Sequence, residues 1–283
     1  MTADSPGQGG RSSTADAEFT EGYTVDTADV PPHSAEFLAT VAARELAGCR
    51  RVFAGVGLPT LAVDLATRTV NPGVELVYES GVVGAHPEAM AEGIADSVLV
   101  SGSEAMLSMD ALFGYVLQGG YVDVGFLGAA QVDRIGNINT SVIGDWQRPK
   151  VRLPGSGGAS DIIASAREIV VVLRRHDLYA LPAEVDFCTS PSPARAGRQE
   201  GFRQPPGAGV ATVITPLGIL RRPDRHGELE LAAVHPGVSV AEATENTGWD
   251  LRVRGDVTVT PRPRTEDVRL LREEIDTVRL YLR

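Results

Sequence analysis

From Ser34 onward the chain alternates between two hydrophobic rhythms. In SAEFLATVAARELAG (34–48) the apolar positions Leu38, Val41, Ala42 and Leu46 recur on one helical face, with Ser34 placed as an N-cap and Gly48 as a stop. RVFAGVG (51–57) is a short unbroken apolar run, the pattern of a strand covered on both faces. LPTLAVDLATRTV (58–70) returns to helical spacing with Pro59 in its first turn, and VELVYE (74–79) is the next strand. These segments form a β-α-β unit. The same reading makes SVLVSG (97–102) a strand, EAMLSMDALFGYVLQGG (104–120) a helix, and YVDVGFLG (121–128), INTSVIG (138–144) and EIVVVLRR (168–175) further strands.

After Cys188 the rhythm changes. Residues 190–209 are a connection rich in Pro, Gly and Arg; GVATVITPLGILRR (209–222) and GELELAAVHPG (227–237) read as antiparallel strands, SVAEATENTG (239–248) as a short helix and residues 265–283 as a terminal helix. The expected fold class is α/β: an open, mostly parallel sheet with helices on both faces and a C-terminal mixed or antiparallel β extension. Residues 1–32, dominated by Gly, Ser, Thr and Asp, offer too little apolar surface to offset ordering and are expected to be a disordered tail, with one domain over 33–283.

Composition narrows the function classes. A net charge of −11 argues against nucleic acid as a partner, since affinity for phosphate backbones rests on clustered Lys and Arg. Lys150 is the only lysine. No apolar run approaches the ~20 residues of a membrane span, and the N-terminus lacks the basic start and apolar stretch of a signal peptide. Cys49 and Cys188 stand far apart without a CxxC partner, which suggests neither a disulfide framework nor a metal site and points to a reducing cytoplasm.

Two stretches carry candidate chemistry. Glu79 ends an apolar strand and is followed at once by Ser80 and Gly81, and in open parallel sheets the strand C-termini are where sites form. Gly155, Gly157 and Gly158 precede a helix starting around 159–161, a turn able to present free N–H groups to an anion. The glycines fit equally a sharp turn that permits close helix packing. The spacing is neither that of a P-loop nor that of a dinucleotide fingerprint.

Taken together, VGLPTLAVDLA, LVYESGVVGA, LQGGYVDVGFLGAAQVDRIGNINTSVIG, PKVRLPGSGGASD, EVDFCTSP and HPGVSVAEATENTGWDL resemble the β subunits of family I CoA-transferases, the glutaconate and 3-oxoacid type, over roughly Val52 to Leu251. The resemblance implies that Glu79 is the nucleophile, in a turn where Tyr78 and Ser80 replace the family's Ser and Asn. It implies that Ser80, Gly81 and the turn Gly155-Ser156-Gly157-Gly158-Ala159 line the site and offer N–H groups to an oxyanion or to CoA. It further implies acyl-CoA and a carboxylic acid as substrates, no tightly bound cofactor or metal, a glutamyl-CoA thioester intermediate, and an α subunit in an α2β2 assembly. Gln131, Asn137 and Asn139 either line this site or belong to a turn fixed by local hydrogen bonds. His86 and His235 are expected as capping or core residues, Cys188 as a small buried side chain, and Trp146 and Trp249 as packing anchors. Two other readings are a related ring-opening acyl-CoA hydrolase and a non-catalytic partner subunit; Glu79 beside an intact glycine turn favours transfer.

Overall fold

The computed structural model describes residues 27–192, 207 and 209–282. The tail expected over 1–32 and the connection over 190–209 therefore fall largely outside the described residues. Where the description begins, Thr27–Asp29 forms a 3-10 turn and Val30 is 1% exposed, so packing starts slightly before the expected boundary.

Five parallel strands form the centre, in the order β2 (Glu75–Val77), β1 (Arg51–Ala54), β5 (Val124–Gly128), β10 (Glu168–Val172), β11 (Val210–Ile214). One flank continues through β12 (Gly218–Arg221) and β13 (Glu230–Val234), both antiparallel to their predecessors, to β14 (Val253–Val259), parallel to β13. On the other flank β3 (Val82–Val83) and β4 (Ala105–Met106) add by antiparallel pairing and complete a ten-stranded sheet. This is the expected α/β class with its C-terminal extension.

The two-residue period of the strands sorts their side chains into two cores. Val52, Ala54, Val170 and Val172 face α1 (Ala35–Arg44), α2 (Leu58–Arg68) and the C-terminal helix, while Phe53, Ile169 and Val171 face α4 (Ala159–Ser165) and the segment around Leu112 and Leu117. Helix α1 begins as expected, Phe37 N–H donating to the Ser34 hydroxyl at 3.1 Å. Its anticipated core positions Leu38, Val41 and Ala42 are buried, as is Leu46 in the turn that follows it.

Several expectations fail for local reasons. SVLVSG is not a strand: Ser97–Val100 is a 3-10 turn, started by Asp96, whose carboxylate accepts from Val98 N–H at 3.1 Å. The helix read over 104–120 begins only at α3 (Met109–Ala111) and continues as a π-helix over Leu112–Leu117, because Ala105 and Met106 extend the sheet edge. INTSVIG divides into β7 (Ile138–Asn139), paired with β6 (Gln131–Val132), and β8 (Val142–Gly144), paired with β9 (Pro149–Arg152). The terminal helix runs over Thr265–Leu270, turns through a π segment to Ile275, and stops where the buried Asp276 carboxylate accepts from the N–H groups of Leu280, Tyr281 and Leu282.

His235 lies in the core as expected, and His176 joins it. His235 donates from Nε2 to Thr215 O (2.8 Å) with Thr260 Oγ1 2.7 Å from Nδ1; His176 has Ala243 O 3.1 Å from Nε2 and Thr215 Oγ1 2.7 Å from Nδ1. Burial pushes both imidazoles down to about 4. A depressed value means the unfolded chain binds these protons first, so the stability from neutral burial is complete above about pH 6.5 and lost as pH falls toward 4, about 3 kcal/mol per ring. In a nuclear magnetic resonance titration two of the five imidazoles are expected to stay neutral at pH 5.5. All five titrating between about pH 6 and 7 would contradict this. His86, by contrast, is exposed rather than capping or buried.

Candidate active site

The strand β2 delivers Glu79 through a clamped turn. Tyr78 N–H donates to Val82 O (2.9 Å) and Gly81 N–H to Tyr78 O (3.0 Å), leaving Glu79-Ser80-Gly81 as a three-residue hairpin loop with Gly81 at φ +98°. Leu107 N–H donates to Gly81 O at 2.9 Å, so the turn is also tied to the chain leading into α3. Tyr78 points the other way, fully buried in the α1/α2 core, and acts as an anchor rather than as a site group.

Strand β9 leads into the glycine turn. Leu153 N–H donates to Ser141 O (2.9 Å) and Gly155 N–H to Thr140 O (2.8 Å), fixing the turn's base. Gly155 and Gly157 have φ +102° and +48°, and Ala159 opens α4 with its N–H on Ser156 O at 2.9 Å. Among the described residues, the N–H groups of Gly157 and Gly158 have no acceptor.

The two motifs, some eighty residues apart in sequence, meet in space. A Cβ placed on Gly157 would lie 3.5 Å from both Glu79 carboxylate oxygens, and one on Gly158 would lie 3.4 Å from the Glu79 Cδ. The half-buried carboxylate thus rests directly on the glycine turn. It has no hydrogen-bond or ion-pair partner among the described residues. Phe113 from the π-helix closes one side; a Cβ on Gly158 would meet its Cζ at 2.6 Å, and its ring packs edge-on against Phe53 at 5.7 Å. Ser80 and Ser156 are exposed at the rim.

Gln131, Asn137 and Asn139 are elsewhere committed. Asn139 Nδ2 donates to Gln131 Oε1 and Val142 O, both at 2.7 Å, and its Oδ1 accepts from Ser141 N–H at 3.0 Å. Asn137 Nδ2 donates to Asp133 Oδ2 at 2.7 Å, and its Oδ1 accepts from Ser192 N–H at 2.9 Å. The turn reading holds for Asn137. Asn139 and Gln131 pin the segment whose Thr140 carbonyl anchors Gly155, so they position the glycine turn from behind. Cys188 is half-buried, and Trp146, although 48% exposed, packs on Phe187 with ring centroids 4.9 Å apart and lies under the Arg152 guanidinium. Phe113 and the Leu107 backbone are site walls that no motif signals, because only the sheet order brings them to Glu79. The described residues include no cluster of His, Cys, Asp and Glu able to hold a metal, and no helix long and apolar enough to cross a membrane.

A family model for coenzyme A transferase matches residues 37–246, spanning both motifs. The chain belongs to the coenzyme A transferase family. Within it, the chain is of the β-subunit type. It is 41% identical over 238 residues to the β subunit of 3-oxoadipate CoA-transferase from Pseudomonas knackmussii, covering 84% of this chain and 91% of that one. It is 29% identical to the β subunit of glutaconate CoA-transferase from Acidaminococcus fermentans, covering 87% and 94%. The crystal structure of glutaconate coenzyme A-transferase from that organism superposes with a TM-score of 0.79 at 28% identity, over 88% of this chain and 96% of that one. The decarboxylase AibA/AibB superposes at 0.73 with 27% identity, over 89% and 97%, so the coenzyme A transferase fold also carries a different reaction.

Proposed function

We propose that this chain is the β subunit of an enzyme that moves CoA from an acyl-CoA to a carboxylic acid, with Glu79 as the nucleophile. The observation that carries the reading is the unpartnered Glu79 carboxylate resting on Gly157 and Gly158. Glu79 attacks the thioester carbonyl, the C–S bond breaks, and CoA leaves as thiolate from an acyl-glutamyl anhydride. The thiolate attacks the glutamyl carbonyl, releasing the donor acid and leaving a glutamyl-CoA thioester. The acceptor carboxylate displaces CoA thiolate from that thioester to form a second anhydride, and the thiolate then attacks the acceptor's carbonyl, which yields the new acyl-CoA and restores the carboxylate. The free N–H groups of Gly157 and Gly158 suit the oxyanion of each tetrahedral step, where one donor is worth about 3 kcal/mol.

Both similar chains are single subunits of a larger enzyme. An α subunit completes this one, in an α2β2 assembly, and supplies the rest of the acid pocket. It works in the cytoplasm, where Cys49 and Cys188, both unbridged, remain thiols. No resident cofactor takes part. The assembled enzyme, given acyl-CoA with 3-oxoadipate or glutaconate as acceptor, is expected to pass CoA rapidly and to release free CoA slowly with water alone, since both intermediates are hydrolysable and the site must exclude water. Acceptor-independent ring opening with the thioester intact, or carbon dioxide release without CoA exchange, would overturn transfer in favour of hydrolysis or decarboxylation.

A further inference from the structure

Gly158 lacks a side chain for the sake of its neighbour rather than of its own backbone. Its φ of −80° and ψ of 0° belong to a turn conformation open to most residues. A Cβ there, however, would stand 2.6 Å from Cζ and 3.0 Å from Cε1 of Phe113, closer than side chains approach. The space is left to the aromatic ring. The same Cβ position is 3.4 Å from the Glu79 Cδ, so the ring edge and that carboxyl carbon are no farther apart than the sum of the two short distances.

The π-helix holds the ring in this place. Leu112 and Leu117 are fully buried and fix the turn from within. Gln118 N–H donates to Phe113 O at 2.9 Å and Tyr121 N–H to Val116 O at 3.0 Å, the wide spacing of a π turn, a feature frequent at functional sites. Phe53 on β1 packs edge-on against the ring at 5.7 Å and 68°. Gly114 and Tyr115, the next two residues, are exposed, and the half-buried ring is the part of this turn that meets Glu79. An apolar ring neither donates a proton nor pairs with a charge. Beside a carboxyl carbon it occupies volume that water would otherwise fill.

We propose that Phe113 is the water shield of the acylated Glu79, seated by Gly158, and that it sets how rarely the glutamyl-CoA thioester is lost to hydrolysis. This rests on the reading of a glutamyl-CoA intermediate. In the loss reaction the oxygen of water bonds to the glutamyl carbonyl carbon and the C–S bond breaks. CoA leaves as the thiol with one of water's protons, and the carboxylate is restored as the other is released. Without the ring, the vacated space exceeds the ~30 Å³ that one water occupies, and beside a carboxyl group it hydrates.

The test uses the complex assembled with its α subunit, loaded with acyl-CoA, freed of excess by gel filtration, and followed for thiol release with and without acceptor acid. Phe113→Ala should raise the ratio of water-driven to acceptor-driven discharge about tenfold or more, while Phe113→Leu, which keeps most of the apolar bulk, should stay within about threefold of the unaltered enzyme. Gly158→Ala, whose methyl must push the intact ring aside, should raise the same ratio, and it keeps the test open if Phe113→Ala does not assemble. Both changes remove one obstacle, so the double variant should exceed neither single variant. Any effect on oxyanion donors is common to both discharges and cancels in the ratio. An unchanged ratio in Phe113→Ala or in Gly158→Ala, with only the KM for the acid altered, would overturn the shield and make the ring a wall of the acid pocket. Absence of CoA from the chain of the unaltered complex would overturn instead the intermediate on which the shield depends.

Discussion

Replacing Glu79 by alanine is expected to lower kcat for CoA transfer by about 10⁴-fold or more, the scale seen when a covalent nucleophile is removed. The fold should survive. The Glu79 side chain is half-exposed and has no partner among the described residues, so truncation leaves no buried group unsatisfied and should change stability by no more than about 0.5 kcal/mol. Glu79→Gln keeps the shape and hydrogen-bonding reach of the side chain but cannot form the anhydride, so it should fail as completely. Steady-state kinetics on the assembled variants, with circular dichroism to verify folding, decide the matter: transfer at the unaltered rate would remove Glu79 from the mechanism.

Gly81→Ala is expected to have the largest effect on stability. The position combines φ +98°, a conformation side chains rarely adopt, with a Cβ site only 2.0 Å from the Leu107 carbonyl oxygen. The obstacle is backbone, itself held by the Leu107 N–H to Gly81 O bond, so relief requires β3 to part from the chain entering α3. Strain and collision together should cost about 4 kcal/mol, enough to drive much of the chain out of its native state at physiological temperature. Ser80→Ala, one residue earlier and exposed, is the control and should be neutral within about 0.5 kcal/mol. Denaturant unfolding of the two variants checks this; equal midpoints would show that the turn is not built as described.

Much of this architecture is legible in the sequence because the central strands and the helices on the α1/α2 face follow their periods without interruption. Leu38, Val41 and Ala42 declare the buried face of α1, and the unbroken run Ile169–Val172 declares a strand covered on both sides. The rhythm misleads where a short apolar run carries too little length to separate turn from strand. At Ser97–Val100 the Asp96 cap outweighs the β-branched residues, and at Ala105–Met106 the sheet edge takes residues that helical spacing would claim. Strand β14 escapes the pattern because Gly255 interrupts the apolar positions Val253, Val257 and Val259, so their alternation with Arg254, Asp256 and Thr258 runs over only a short stretch. Both halves of the candidate site are visible as motifs, whereas the contact of Glu79 with Gly157 and Gly158 follows from strand order, which no local pattern encodes. The same holds for Phe113. Gln131 and Asn139 show the converse: polar residues beside a glycine turn look like site residues, yet burial commits them to each other.

The central claim is that CoA is carried covalently on Glu79, and intact-mass analysis of this chain, taken from the assembled enzyme quenched in acid after acyl-CoA is added, tests it most directly. The account predicts a mass increase of one CoA less water, mapped by peptide sequencing to the segment containing Glu79, discharged by acceptor acid and absent from Glu79→Gln. Rapid transfer with an unmodified chain, or with CoA attached at any other residue, would contradict it.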